Sequence, residues 1–346
     1  MKRSGTVVSG IFALLGMFIL ILDGKTAFEG AKEGVVLCLN SLIPSLFPFL
    51  VLSIIINSLF IGKQVPFLRP IGKLCGIPKG AESILLLSLL GGYPVGAQSI
   101  ADAYQRGYLP KTTAQRLLGF CNNAGPSFIF GIIALQFTTP YIAWFIWFIH
   151  IFSAIIVGML LPKSDNVVCK LTSSNPTTFP KALDTGMKIL AKICGWVILF
   201  RVFISVLRRW LFWLFPLWLQ ILLTGFIELA NGCVALHLIP TEGLRFILAA
   251  CALALGGICV GMQTLSVTGS LGFGLYFPGK VLQCIISFFI AERLQYFIFS
   301  TEEIFYMPPI LCFCFLLILI IPLTRIFHPY IKTRTATRAR KMLDIT

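Results

Sequence analysis

The sequence predicts an all-α polytopic membrane protein, with about eight transmembrane helices and two re-entrant helical hairpins set in an inverted repeat with broken helices. Three observations carry that prediction. First, 57% of the 346 residues are apolar and only 12% charged, and the mean hydropathy is +0.91; soluble domains carry roughly a quarter charged residues. Second, apolar runs of ~20 residues recur along the chain, the length a helix needs to cross the ~30 Å hydrocarbon core. Third, lysine and arginine are unevenly divided between alternate loops. The composition excludes a disordered chain and argues against a soluble enzyme. The net charge of +15 belongs to membrane topology, because no polar segment is long enough to fold into a basic, nucleic-acid-binding surface.

Taken in order, Met1-Lys2-Arg3 precede an apolar run from Thr6 to Leu22. Asp23-Gly24-Lys25 follows in place of a small-residue cleavage site, so residues 1–40 read as an uncleaved first helix and a connecting segment. Further full spans run Leu42 to Ile61, Tyr141 to Leu161, Leu183 to Leu207, Val281 to Phe299 and Pro308 to Leu323. These divide the chain into repeat one (41–161), a cytoplasmic linker (162–182) containing Ser173-Ser174-Asn175-Pro176, repeat two (183–299), and a last helix with a basic tail (300–346).

Four apolar stretches depart from ordinary spans. In Glu82 to Gly107, two apolar arms flank Gly91-Gly92-Tyr93-Pro94-Val95-Gly96. Each arm of ~10 residues covers about 15 Å, half a bilayer, which predicts a hairpin turning near the midplane. Lys111 to Phe137 has spanning length but is interrupted by Asn122-Asn123-Ala124-Gly125-Pro126-Ser127, where proline removes a donor, glycine loosens the helix and the asparagines offer amides to the freed backbone. The second half repeats the order. Trp210 to Leu238 carries Thr224-Gly225 through Asn231-Gly232 at its middle, a second hairpin, and Glu242 to Gly274 is interrupted at Gly256-Gly257 and by Gln263-Thr264-Leu265-Ser266.

Positive charge supports this topology. With the N-terminus inside, the cytoplasmic segments collect Lys2, Arg3, Lys63, Arg69, Lys73, Lys79, Arg106, Lys111, Lys163, Lys170, Lys181, Lys280 and the tail from Arg325 to Lys341. The other side holds Lys25, Lys32, Arg208, Arg209 and Arg245. Both termini are then cytoplasmic, and the two hairpins enter from opposite faces.

Irregular backbone at membrane depth must be buried in protein or line an aqueous cavity. The candidate substrate-binding residues are therefore Gly92, Tyr93, Pro94, Gly96, Asn122, Asn123, Gly125, Pro126 and Ser127 from repeat one, and Glu228, Asn231, Gly257, Gln263 and Ser266 from repeat two. Half-helices beginning at the turns aim positive dipole ends at the midplane, which suits a carboxylate. Glu228, the acid nearest a hairpin tip, is expected either to couple transport to a proton or cation, or to pair with Arg201 or Lys192. Lys188 and Lys192, one turn apart, either snorkel to the interface or face an anion pathway. Gly92/Gly96 and Gly257/Gly261 allow tight backbone packing. The cysteines sit in apolar runs without a CxxC pair, and the three histidines lack partners at ligand spacing, so no metal, cofactor or disulfide framework is indicated.

The string Gly91-Gly92-Tyr93-Pro94-Val95-Gly96-Ala97, with Arg116 and then Asn122-Asn123-Ala124-Gly125-Pro126-Ser127-Phe128-Ile129 and Gly131, resembles the YlbJ (SpoVV) group of sporulation integral membrane proteins, within the nucleoside-recognition or Gate-domain family. Pro44 to Phe49 and the run from Gly256 through Val260, Gln263 and Ser266 extend the likeness. The resemblance implies a transporter rather than an enzyme, and for that group the movement of dipicolinate by alternating access. It places the chain in a bacterial cytoplasmic membrane, the outer forespore membrane where the source sporulates. The partners implied are the lipid bilayer, a small anionic substrate, a proton or sodium as coupling ion and a homo-oligomeric assembly, without nucleic acid. A nucleoside or ferrous-iron permease and a non-transporting sporulation scaffold are the competing expectations.

Overall fold

The computed structural model describes residues 10, 13–14, 16–60, 63–163, 176–300 and 304. The span from Pro308 to Leu323, the basic tail, most of the linker and much of the first apolar run lie outside the described residues. Among those described, regular structure is entirely helical. Among the described residues, five helices are long and apolar enough to cross a membrane: Gly24–Phe60, Ile142–Leu160, Phe179–Trp210, Glu242–Leu271 and Tyr276–Ile298. The chain is thus an integral membrane protein of the polytopic helical type.

The segment expected to connect the first two spans is itself helical. Helix α1 (Gly24–Leu37) passes through a π-turn (Cys38–Leu42) into α2 (Ile43–Phe60). A proline ring clashes with the carbonyl four residues back; for Pro44 that residue is Asn40, inside the π-turn, and the wider turn relieves the clash. Helix α1 packs along α9 (Phe179–Trp210), which is longer than the predicted span. Gly30 and Gly34 let it approach: a Cβ on Gly34 would stand 3.0 Å from the Ile198 Cα. Arg201 of α9 pairs there with Glu33, and Arg209 lies 3.2 Å from Asp23. Arg201 is therefore held by Glu33 on the α1 face.

After the short α3 (Arg69–Leu74), α4 (Glu82–Leu90) and α5 (Val95–Gln105) fold back on each other around Gly91–Pro94. Helix α6 (Lys111–Leu117) ends five residues before the predicted interruption, and irregular chain runs to Gly125. Helix α7 (Pro126–Phe128) resumes with proline at its first position, where no amide hydrogen is needed, and continues as a π-turn and a 3-10 turn to Gln136. Buried Arg116 donates from Nη2 to the carbonyls of Cys75 (2.6 Å), Gly158 (2.7 Å) and Leu161 (3.3 Å). It thereby satisfies carbonyls at the C-terminus of α8 (Ile142–Leu160) with the charge that the helix dipole favours.

In the second half, α10 (Leu217–Ile227) and α11 (Leu229–Val234) turn at Glu228. Helices α12 (Glu242–Leu255) and α13 (Gly257–Thr268) meet at Gly256-Gly257, both at positive φ (+71° and +75°), a conformation that costs glycine least. The polar run Gln263-Thr264-Leu265-Ser266, predicted as a further interruption, lies inside α13: Thr264 and Ser266 hydroxyls bond back to the carbonyls of Val260 and Met262, so the ladder persists. Helix α14 (Tyr276–Ile298) packs against α8 and α12. Large apolar side chains face outward, among them Trp144, Phe148 and Phe152 on α8 and Phe297 on α14, a surface suited to lipid rather than water.

Candidate functional site

In each half the helix turn packs on the interruption through glycine. A Cβ on Gly92 would stand 2.9 Å from the Gly125 nitrogen, and one on Gly257 would stand 2.8 Å from the Gly225 carbonyl oxygen. Gly96 has the same function, since a Cβ there would run into the Cys121 carbonyl.

Polar side chains then join the two halves. Asn122 Nδ2 donates to Thr264 Oγ1 of α13 at 2.8 Å, while its Oδ1 accepts from the Ala97 amide at 3.3 Å. The Tyr93 hydroxyl donates to the Leu253 carbonyl at 3.0 Å, in the last turn before Gly256. Asn123 Nδ2 caps the Phe120 carbonyl at 2.7 Å. The two asparagines thus serve backbone groups at the start of α5 and at the interruption, and their remaining atoms bond across the halves.

A cavity of about 40 Å³ opens where these elements meet. Of the predicted residues it brings together Gly92, Tyr93, Gly125, Ser127, Glu228 and Gln263. Pro94, Gly96, Asn122, Asn123, Pro126, Asn231 and Gly257 are not in its wall. Ser266 is exposed and bonded within its own helix. Glu228 is 2% exposed; it caps α11, accepting from the amides of Ala230 (3.0 Å) and Asn231 (2.7 Å) and from Asn231 Nδ2 (2.6 Å). Its carboxylate thereby serves three donors at a helix start, an arrangement that stabilises it there.

Lys280 departs from its expected place in a cytoplasmic loop. It is 1% exposed, in the first turns of α14. Its ammonium donates to Asn123 Oδ1 (3.0 Å) and Gln283 Oε1 (2.8 Å) and lies 5.5 Å from the centroid of the Tyr93 ring. Gln283 Nε2 donates in turn to Asn123 Oδ1 (3.2 Å) and to the His150 carbonyl (3.1 Å). The Ala124 amide donates to His150 Nε2 at 2.9 Å, which leaves Nδ1 to carry the proton of a neutral ring. That Nδ1 is buried without a partner. Sequence reasoning missed Lys280, Gln283 and His150. The available signal was Pro278-Gly279-Lys280, where a basic residue opens an apolar run behind residues that let backbones touch: a Cβ on Gly279 would collide with Gly119.

A second cavity, about 150 Å³, lies between α2, α5 and α9. Asn57, Gln98, Asp102, Arg106, Lys181 and Thr185 line it. Leu46, Tyr93, Ile193 and Val197, near the same three helices, line the first.

These features define an integral membrane protein whose interior polar groups gather where two chain interruptions meet. Over 142 residues, 40% of this chain, it is 30% identical to the Sporulation integral membrane protein YlbJ of Bacillus subtilis (strain 168). The matched region spans 34% of that protein's length. No family model matches the chain. No solved structure matches it.

Proposed function

We propose that this chain is a secondary transporter that moves a small anionic metabolite, dipicolinate during sporulation, without chemical change. In this reading α4–α5 and α10–α11 are re-entrant hairpins entering from opposite faces, the whole chain makes about eight crossings with both termini cytoplasmic, and the two halves form an inverted repeat. The observation that carries the proposal is Lys280: a basic side chain buried among neutral partners, behind a tyrosine that lines the central cavity. A charge inside a membrane protein is costly and marks a functional site by default, and a positive one calls for an anionic ligand.

The cavity supports alternating access by its size. Its ~40 Å³ suits one or two waters, far less than an aromatic dicarboxylate, so the structure is read as the closed form of the cycle. The larger cavity with Arg106 and Lys181 serves as the cytoplasmic vestibule that precedes it. Likeness to a sporulation membrane protein favours the sporulation setting, in the outer forespore membrane. A scaffold has no use for a desolvated lysine bonded to an interrupted helix.

Radiolabelled dipicolinate counterflow in proteoliposomes of the full chain tests this reading. Exchange that saturates and requires the protein supports it, and none above protein-free vesicles rejects it.

A further inference from the structure

We infer that Lys280 is the proton-carrying residue of the cycle, its amine taking up one proton with each anion admitted to the central cavity and releasing it when the anion leaves. The inference rests on the transport reading and deepens it.

The hydrogen-bond geometry accommodates both forms of the side chain. A neutral amine has two N–H donors, and two acceptors stand in place, Asn123 Oδ1 at 3.0 Å and Gln283 Oε1 at 2.8 Å. The third donor of an ammonium has the Tyr93 ring face, 5.5 Å away at the centroid. Neither form loses a hydrogen bond, so the network does not dictate the protonation state.

What differs between the two forms is charge, and none of the partners supplies a counter-charge. Both acceptors are neutral amides. The acids of the described residues lie elsewhere: Asp23 pairs with Arg209, Glu33 with Arg201, Glu82 with Arg69, Asp184 with Lys188, Glu242 with Arg245 and Glu292 with Arg293, Glu228 caps α11, Asp102 lines the second cavity and Glu29 is exposed. The titratable groups that face Lys280 are Tyr93 from the first turn, Cys121 from the interruption and His150 from α8, with Tyr276 one turn back on its own helix. Each is neutral in its ordinary protonated or, for His150, hydrogen-bonded form. An anion in the cavity beyond Tyr93 is then the counter-charge the ammonium lacks; Glu228, which also lines that cavity, has its carboxylate engaged by the three donors at the start of α11. Anion and proton favour each other's binding by the same factor, as linkage requires. The proton comes from the aqueous phase open to the cavity, joins the amine lone pair, and returns to water on the side where the anion is discharged.

The test uses the full chain in proteoliposomes with labelled dipicolinate, the membrane potential clamped at zero. Counterflow without a gradient establishes transport. An imposed gradient of one pH unit, acid outside, then raises wild-type accumulation by up to about tenfold for one proton per anion. Lys280→Arg, which keeps the charge, shows counterflow that does not respond to the gradient, and Lys280→Gln, which lacks it, loses counterflow. Wild-type counterflow that ignores the gradient, or a variant that still responds to it, overturns the proton role and leaves transport standing. No wild-type counterflow overturns both. Should Lys280→Gln fail to fold, Lys280→Arg keeps the charge and the donors and carries the comparison. Independently, adding dipicolinate to weakly buffered wild-type protein in detergent takes up about one proton per chain; no uptake overturns the inference.

Discussion

Lys280 of α14 and Asn123 of the first interruption meet at 3.0 Å in the protein interior, and Gln283 bonds the same Asn123 oxygen at 3.2 Å. One asparagine side chain thus ties the irregular chain of the first half to a membrane-length helix of the second. Its Nδ2 is simultaneously spent on the Phe120 carbonyl.

Replacing Asn123 with leucine removes the acceptor of two buried donors and the donor of one buried carbonyl. The expected loss is about 1 to 3 kcal/mol for each group left unsatisfied. Thermal unfolding in detergent should fall by several degrees, with dipicolinate exchange abolished. A well-folded Asn123→Leu protein with wild-type exchange would make the contact dispensable.

Glu228 is expected to behave as a helix cap. Glu228→Gln keeps a side-chain oxygen for the Ala230 or Asn231 amide, so the protein should fold, exchange dipicolinate and still respond to a pH gradient. Glu228→Ala, which leaves those amides without an acceptor, should cost about 1 to 2 kcal/mol. Loss of the gradient response in Glu228→Gln would return the coupling role to this residue, one of the two roles its place near a hairpin tip suggests.

Glycine at the second interruption is required by both conformation and space. Gly257→Ala places a Cβ at φ +75°, 2.8 Å from the Gly225 carbonyl oxygen and 2.9 Å from that of Phe226. It should destabilise by about 1 to 3 kcal/mol. Gly195→Ala, in the middle of α9 with nothing within 4 Å of its Cβ, should instead be neutral or stabilise by about 0.4 to 1 kcal/mol. Comparing the melting temperatures of the two variants checks the contrast.

Topology has its own check. Lys79 and Arg106 flank the α4–α5 pair, and both are exposed. Cysteines placed at these positions should both react with an impermeant maleimide from the cytoplasmic side. Reaction from opposite sides would make the segment an ordinary crossing.

The first turn and the second interruption were legible because glycine and proline act locally. Gly91 through Pro94 and Gly256-Gly257 each cluster residues that disfavour a continuous helix, and the structure breaks the chain at both. Where local and tertiary demands diverge, the sequence misleads. The hydroxyls of Thr264 and Ser266 look like an interruption, yet inside a packed helix they bond to their own ladder. Residues 24–37 look like a polar connection, yet they form a helix because Gly30 and Gly34 fit against α9 and Glu33 finds Arg201.

Apolar length and composition were enough to mark a helical membrane protein, because they decide which segments leave water. Glycine also marked the interruption at Gly256-Gly257, though not every polar run that looked like a break is one. The tertiary structure alone decided the charge at the centre. A lysine near the start of an apolar run has the pattern of a loop residue that marks the cytoplasmic side, and only packing shows its ammonium turned inward. Burial of Lys280 depends on Asn123, Gln283 and Tyr93 arriving from separate parts of the chain, and no local pattern encodes such a meeting.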